Sequence, residues 1–334
     1  MERREFLFGT AAAVGMQVFA GKVSAEVLGA AGAGVAAASG PSYEPGHGPK
    51  YRILGVPLRA GSLLPGNEND AQAYREAHLV ERLREAGCSV VDDGDVAIPS
   101  YLPHHSIPPI RSWPAPRIAW ECVSDRVGPL LGEAGQVPLL IGCDCSVVVG
   151  TTQALQASAG AAGKEVHVIY VDGDFDDAPP EAKRCNSAAS CAVWLLTHDS
   201  PFWAGPVLGA SQVSVVGWSN PSRAERGRVS STSLADLRRI GVSEAAKQIL
   251  EKVPDSAAIL LHFDIDVLQK KEMPAAYFPH EEGMRLAEVA ELLGVLLKDA
   301  RVRIVEVSEY ASLRDLDRQY AGKLVDLLAG ALRK

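Results

Sequence analysis

The sequence predicts an α/β protein, a three-layer α/β/α sandwich with a mainly parallel central sheet. Three observations carry that expectation. Short β-branched, apolar runs alternate with helical segments from residue 51 to the C-terminus, the order that builds a parallel sheet covered on both faces. The central runs, such as Leu139-Leu140-Ile141 and Val168-Ile169-Tyr170-Val171, are apolar at successive positions, as strands buried on both faces are. Several runs end in carboxylates, and in open parallel sheets ligands sit beyond the carboxyl ends of the strands.

Composition sets the bounds. A chain of 334 residues with 47% hydrophobic content can bury a large core. No composition break or internal repeat marks a second core. The chain has 33 basic and 41 acidic residues, a net charge of −8, and no basic stretch, which speaks against nucleic acid as a partner. Its six cysteines (Cys88, Cys122, Cys143, Cys145, Cys185 and Cys191) are too sparse for a disulfide scaffold and form no zinc-ribbon pairs.

The elements follow in order. Arg3-Arg4 stand ahead of a modest apolar stretch, and Ala/Gly-rich sequence continues to about residue 40. Residues 1–40 therefore read as a Tat-type signal, and the protein as exported to the periplasm or beyond; the alternative is a cytoplasmic chain with a disordered tail. The apolar run is too short for a stable membrane span. Residues 41–50 read as a linker, and residues 51–334 as the domain. A strand at 53–57 precedes a helix at 71–86, with Ala73, Ala77, Val80 and Leu83 on one face. A strand at 88–92, a Pro- and His-rich loop at 99–116, a helix at 121–133 and a strand at 137–142 come next. Another helix ends near 159. Further strands are expected at 166–171, 212–217, 258–266 and 302–308, with helices at 188–197 and 316–332.

The strand at 166–171 runs into Asp172, Asp174 and Asp176. On an extended chain their side chains share one face. Two carboxylates about 5 Å apart repel by about 3 kcal/mol at an effective dielectric near 20. Such a cluster survives where water screens it fully or where cations neutralise it, and the buried strand before it favours hard-cation ligation. His262, Asp264 and Asp266 repeat the pattern at a second strand end. Gly142-Cys143-Asp144-Cys145-Ser146 ends a third strand, and Glu306 lies near the end of a fourth.

From about Tyr51 onward the chain resembles the arginase/agmatinase (ureohydrolase) family. The family's Gly-Gly-Asp-His-Ser is matched by Gly142-Cys143-Asp144-Cys145-Ser146. Its Asp-Ala-His-x-Asp is matched by Asp172-Gly173-Asp174-Phe175-Asp176, its Asp-x-Asp by Asp264-Ile265-Asp266, and its late Glu-Val by Glu306-Val307. The resemblance implies hydrolysis of a guanidino or amidino C–N bond by a hydroxide bridging two Mn²⁺ ions. It implies Asp172 and Asp264 as bridging ligands, with Cys145 and Asp176 on one ion and Asp174 and Asp266 on the other. Asp176 would accept a hydrogen bond from the hydroxide, and Glu306 would pair with the substrate cation. Assembly into homo-trimers or hexamers is implied as well.

Two departures bear on the chemistry. Both metal-site histidines of the pattern are replaced, by Cys145 and Asp174. Six anionic ligands around two divalent ions raise the pKa of bound water, unless Cys145 stays a protonated thiol and one ion binds well. Thiolate also admits Zn²⁺ or Fe²⁺. A substrate-side histidine of the family has no counterpart near Asn186 and Ser187, which remain candidates for a ligand's polar head or for an ordinary helix cap. His262 is expected to support a ligand, the alternative being that it swings in as a replacement nitrogen ligand. The alternatives are a ureohydrolase-fold protein that lost turnover and serves in binding or structure, and, more remotely, a histone-deacetylase-like zinc hydrolase.

Overall fold

The computed structural model describes residues 49–333, apart from residues 58, 63, 65, 67, 204, 206 and 220–228. The expected signal at 1–40 lies outside the described residues, as does the linker up to residue 48. Among the described residues eight strands form one sheet: β1 (Lys50–Gly55), β2 (Ser89–Asp95), β3 (Gln136–Cys143), β4 (Val166–Val171), β5 (Val213–Val216), β6 (Ser230–Thr232), β7 (Ala258–Asp264) and β8 (Val302–Ser308). Their order is β2-β1-β3-β8-β7-β4-β5-β6, and all neighbours run parallel. β4 and β7, in the middle of the sheet, are buried at every position, which is why their sequences lack polar alternation.

Successive residues of each strand feed opposite layers. Ile53, Leu139, Ile169, Leu261 and Val305 join one core. It is shared with helices α1 (Asp70–Glu76), α2 (Leu79–Glu85), α6 (Leu234–Ile240), α7 (Val242–Glu251), α8 (Leu286–Leu296) and α9 (Gln319–Leu332). Their neighbours Leu54, Leu140, Val168, Leu260 and Ile304 join the other core, with α3 (Ala115–Leu131), α4 (Val147–Ala161) and α5 (Ala192–Thr197). The three-layer sandwich is thus as expected. Among the described residues no helix is long and apolar enough to cross a membrane.

Several boundaries differ from the sequence reading. The helix expected at 71–86 breaks at His78, whose φ is 62°, so that α1 packs on β3 while α2 packs on α9. α3 starts earlier than residue 121 because Pro116 sits in its first turn, where a missing N–H is harmless. The segment at 188–197 opens with a 3-10 turn, Ala189–Cys191. α9 begins only after Arg318, which has a φ of 61°. The strand expected at 258–266 stops at Asp264, where the chain turns.

One buried group in the sheet sets an acid limit on stability. His167 of β4 is buried, with Nε2 3.1 Å from the Ser214 hydroxyl, and burial, aided by Arg301, lowers its pKa to about 4. A folded pKa below the unfolded one means that the unfolded chain binds the extra proton. Stability is therefore lost as pH falls from about 6.5 to about 4. His167→Gln is expected to flatten that limb by on the order of 2 kcal/mol, read from urea melts across this range. An unchanged pH dependence would refute the assignment.

Candidate metal centre

β3, β8, β7 and β4 are consecutive in the sheet, so the turns leaving their carboxyl ends share one rim. There a cavity of about 190 Å³ is lined by Cys145, Asp174, Asp176, Asp264, Asp266 and Glu309, with Ser62, Ser187 and Ser190 on its walls. Asp172 is buried beneath it, and its carboxylate lies within 4.8 Å of ligand atoms of Asp264 and Asp266. The six side chains expected to hold metal thus surround one small space. A larger cleft of about 780 Å³ opens beside Tyr51, Gln136 and Val302 at the amino ends of strands. Its one lining acid, Asp299, is already paired with Arg301 at 2.7 Å, so it gathers no comparable chemistry.

The acids do not converge by strand alternation. β4 ends at Val171, and beyond it the Asp174 amide donates to Asp172 Oδ1 at 2.6 Å. Asp176 takes a left-handed φ of 46°. On the neighbouring strand the Asp266 amide donates to Asp264 Oδ1 at 2.7 Å, opening a 3-10 turn at Ile265–Val267. These side chain-to-backbone turns bring both members of each acid pair to the rim. Glu309, just past β8, also has a positive φ, 59°. Such backbone costs a non-glycine residue on the order of 1 kcal/mol and clusters at functional sites.

The electrostatics are those of crowded, buried acids. Burial, reinforced by Asp266, Asp176 and Asp264, pushes Asp172 well above the ordinary carboxylate range. Burial with Asp266 and Glu309 does the same to Asp264, and burial with Asp144 and Asp266 does so to Glu309. Asp172 Oδ2 and Glu309 Oε2 are buried with no hydrogen-bond donor among the described residues. Orphaned carboxylate oxygens ringed by further acids are a donor set that divalent cations fit. Cys145 differs: burial, then Asp264 and Glu309, push its thiol well up, and its Sγ donates to Asp264 Oδ2 at 2.6 Å.

A polar layer supports the floor. The Tyr170 hydroxyl donates to Asp176 Oδ2 at 2.7 Å, while its ring stacks on His262 at 4.3 Å. His262 meets Glu306 Oε2 through Nδ1 at 2.7 Å and the Ser308 hydroxyl through Nε2 at 3.1 Å. It lies within 4.8 Å of ligand atoms of Cys145 and Asp172, yet both ring nitrogens are engaged, as the supporting role requires. Glu306, expected beside the substrate, is instead fully buried against His262 and does not line the cavity. Its side chain leaves β8 on the face opposite Val305 and Val307, and the carboxylate reaching the cavity from this strand end is that of Glu309. Asn186 donates to the Pro179 carbonyl at 2.9 Å and stays off the cavity wall. Ser187 lines the cavity and also caps the turn, accepting from the Ser190 amide at 3.1 Å.

Sequence reasoning passed over Glu309 and His280. His280 lines the cavity with Nε2 3.4 Å from Asp266 Oδ2, and that carboxylate raises its pKa. Glu309 follows Ser308 by one residue at a strand end, a visible cue. His280 lies in a loop 14 residues past Asp266, where no spacing signals a return to the site.

A parallel sheet of this order, with acids from adjacent strand ends around one cavity, defines the arginase-like class of α/β proteins. The chain belongs to the arginase family, whose model matches residues 49–331. It is 26% identical over 293 residues to an arginase of Agrobacterium fabrum, covering 84% of this chain and 90% of that protein. Among solved structures it resembles the arginase of Bacillus caldovelox, with a TM-score of 0.72 at 20% identity over 86% of this chain and 99% of that one. It also resembles proclavaminate amidino hydrolase of Streptomyces clavuligerus, with a TM-score of 0.64 at 20% identity over 86% and 92% of the two chains.

Proposed function

We propose that this protein is a divalent-metal-dependent hydrolase of guanidino or amidino C–N bonds in small, linear substrates. The observation that carries the reading is the ring of acids around one cavity, with a buried Asp172 oxygen lacking any donor among the described residues. Asp172 and Asp264, the deepest pair, would be shared by two ions, with Cys145 and Asp176 beside one and Asp174 and Asp266 beside the other. Bound ions of this kind, Mn²⁺ first and Zn²⁺ or Fe²⁺ through Cys145, supply the Lewis acidity that makes water nucleophilic near neutral pH.

The chain's own residues do the rest. Glu309, at the cavity wall, would receive the planar cation of the substrate, a role the sequence pattern gave to Glu306. Asp176 is oriented by the Tyr170 hydroxyl. It can accept the proton of the attacking water and return it to the departing nitrogen as the C–N bond breaks. Ser62, Ser187 and Ser190 offer hydroxyls to the substrate's polar groups.

A second reading, a family member without turnover, draws on the Cys145–Asp264 hydrogen bond, which occupies an oxygen that one ion would need. Elemental analysis of protein purified without added metal, then urea and ammonia release from a guanidino and amidino panel after Mn²⁺ addition, separates the two. The hydrolase reading expects at least about one ion per chain together with product release. Bound metal without turnover would favour the second reading, and neither metal nor turnover would overturn the proposal.

A further inference from the structure

The loop from Leu268 to Met284 folds back over the metal centre. Met284 and His280 form bridges with Leu268 and Gln269, and the Lys270 amide donates to the His280 carbonyl at 2.7 Å. The backbone of His280 is thereby fixed at the cavity mouth, with its side chain 26% exposed. Its Nε2 stands 3.4 Å from Asp266 Oδ2. The ring lies directly over Gly173: a Cβ there would come within 2.6 Å of His280 Cδ2, far inside van der Waals contact.

Gly173 and Asp174 occupy the positions at which the family pattern carries alanine and histidine. The histidine's loss removes an imidazole from the strand end. The alanine's loss removes the methyl group that would exclude another imidazole arriving from above. From these paired changes we infer that His280 is a further metal ligand, supplying Nε2 to the ion that Asp174 and Asp266 would hold. The inference rests on the metal-dependent reading above. It restores a neutral nitrogen donor where the replacement by Asp174 left only carboxylates, and does so without adding to the negative charge around the ions. It also predicts that residues 173 and 280 act as a unit.

The test is Mn²⁺ binding to the full chain, by equilibrium dialysis and by pulsed EPR of nitrogen coupling to the bound ion. The wild type is expected to show nitrogen coupling. His280→Gln is expected to abolish it and to weaken one ion by about 10-fold or more. Gly173→Ala keeps the imidazole but displaces it, and should give the same two changes; thermal melts in chelator establish that both variants fold. Free imidazole added to His280→Gly should recover part of the lost affinity. If Mn²⁺ binds and both variants keep wild-type affinity and coupling, the inference falls while the hydrolase reading stands. If the wild type takes up no Mn²⁺, both fall.

Discussion

Asp172→Asn is expected to stabilise the chelated protein while abolishing metal uptake, two effects of opposite sign from one atom pair. Asp172 is buried among Asp176, Asp264 and Asp266, which raise its pKa together with burial, and its Oδ2 lacks a hydrogen-bond donor among the described residues. Asn is neutral at every pH, so the variant no longer bears the cost of keeping this carboxyl protonated or of burying its charge, about 1–3 kcal/mol, which for a domain of this size moves the melting point by about 2–4 °C per kcal/mol. The same change removes a ligand shared by both proposed ions, and activity should fall by about 1,000-fold or more, the several kcal/mol that metal activation supplies.

The pH dependence gives a further check on this variant. Folded carboxyls held above their unfolded pKa favour the folded state at low pH and cost it stability as pH rises through the folded value. In chelator, stability should therefore decline as pH rises from about 4, and Asp172→Asn should lessen the decline. His167 acts in the opposite sense, so Mn²⁺-loaded protein, with its acids neutralised, should show mainly the His167 slope. Differential scanning calorimetry with chelator or Mn²⁺ reads both effects. A chelated variant that melts below the wild type would show that water or protein donors already satisfy the cluster.

Cys145→His carries the second large effect. The Cys145 thiol holds Asp264 Oδ2 at 2.6 Å and lies 3.3 Å from the Ser308 hydroxyl, so it would compete with a proposed cation for a central carboxylate. An imidazole at this position donates a lone pair and frees that oxygen. The weaker of two Mn²⁺ affinities is expected to rise by about 10–100-fold, with turnover rising alongside where ion occupancy limits it. Titration calorimetry with Mn²⁺ reads the affinity directly. Unchanged binding would mean that Cys145 is not beside an ion, and would remove the thiol as the cause of any weakness in the native centre.

Much of the fold was legible because buried parallel strands announce themselves. The runs at 139–141 and 168–171 are apolar at every position, and both lie in central strands. Helices α6, α7 and α8 and the edge strand β6 went unread, since the reading followed strand ends and left the segments between them unassigned. The acid pairs were legible as residues but not as geometry. Strand alternation was the wrong reason for their convergence, because Asp172 and Asp264 each turn the chain with their own side chains. Glu306 was read from a motif, yet a two-residue period cannot say which face of β8 meets the cavity, and the structure spends that residue on His262. His280 could not be read at all, because its place depends on how a 17-residue loop folds back.

The wide chain separation within the centre bears on how the protein is made. Cys145 and Asp264, in contact at the cavity, are 119 residues apart in the chain. They meet only once β8 has inserted between β3 and β7. Non-local pairing of this kind is slow to close, and a one-residue slip of β7 against β4 would turn its side chains into the opposite layer. A nascent chain therefore offers an ion isolated carboxylates, and the full donor set arises only with the finished sheet in its correct register. On the metal-dependent reading, an ion would therefore be captured only after the sheet has closed, and its binding would favour the finished register over a slipped one.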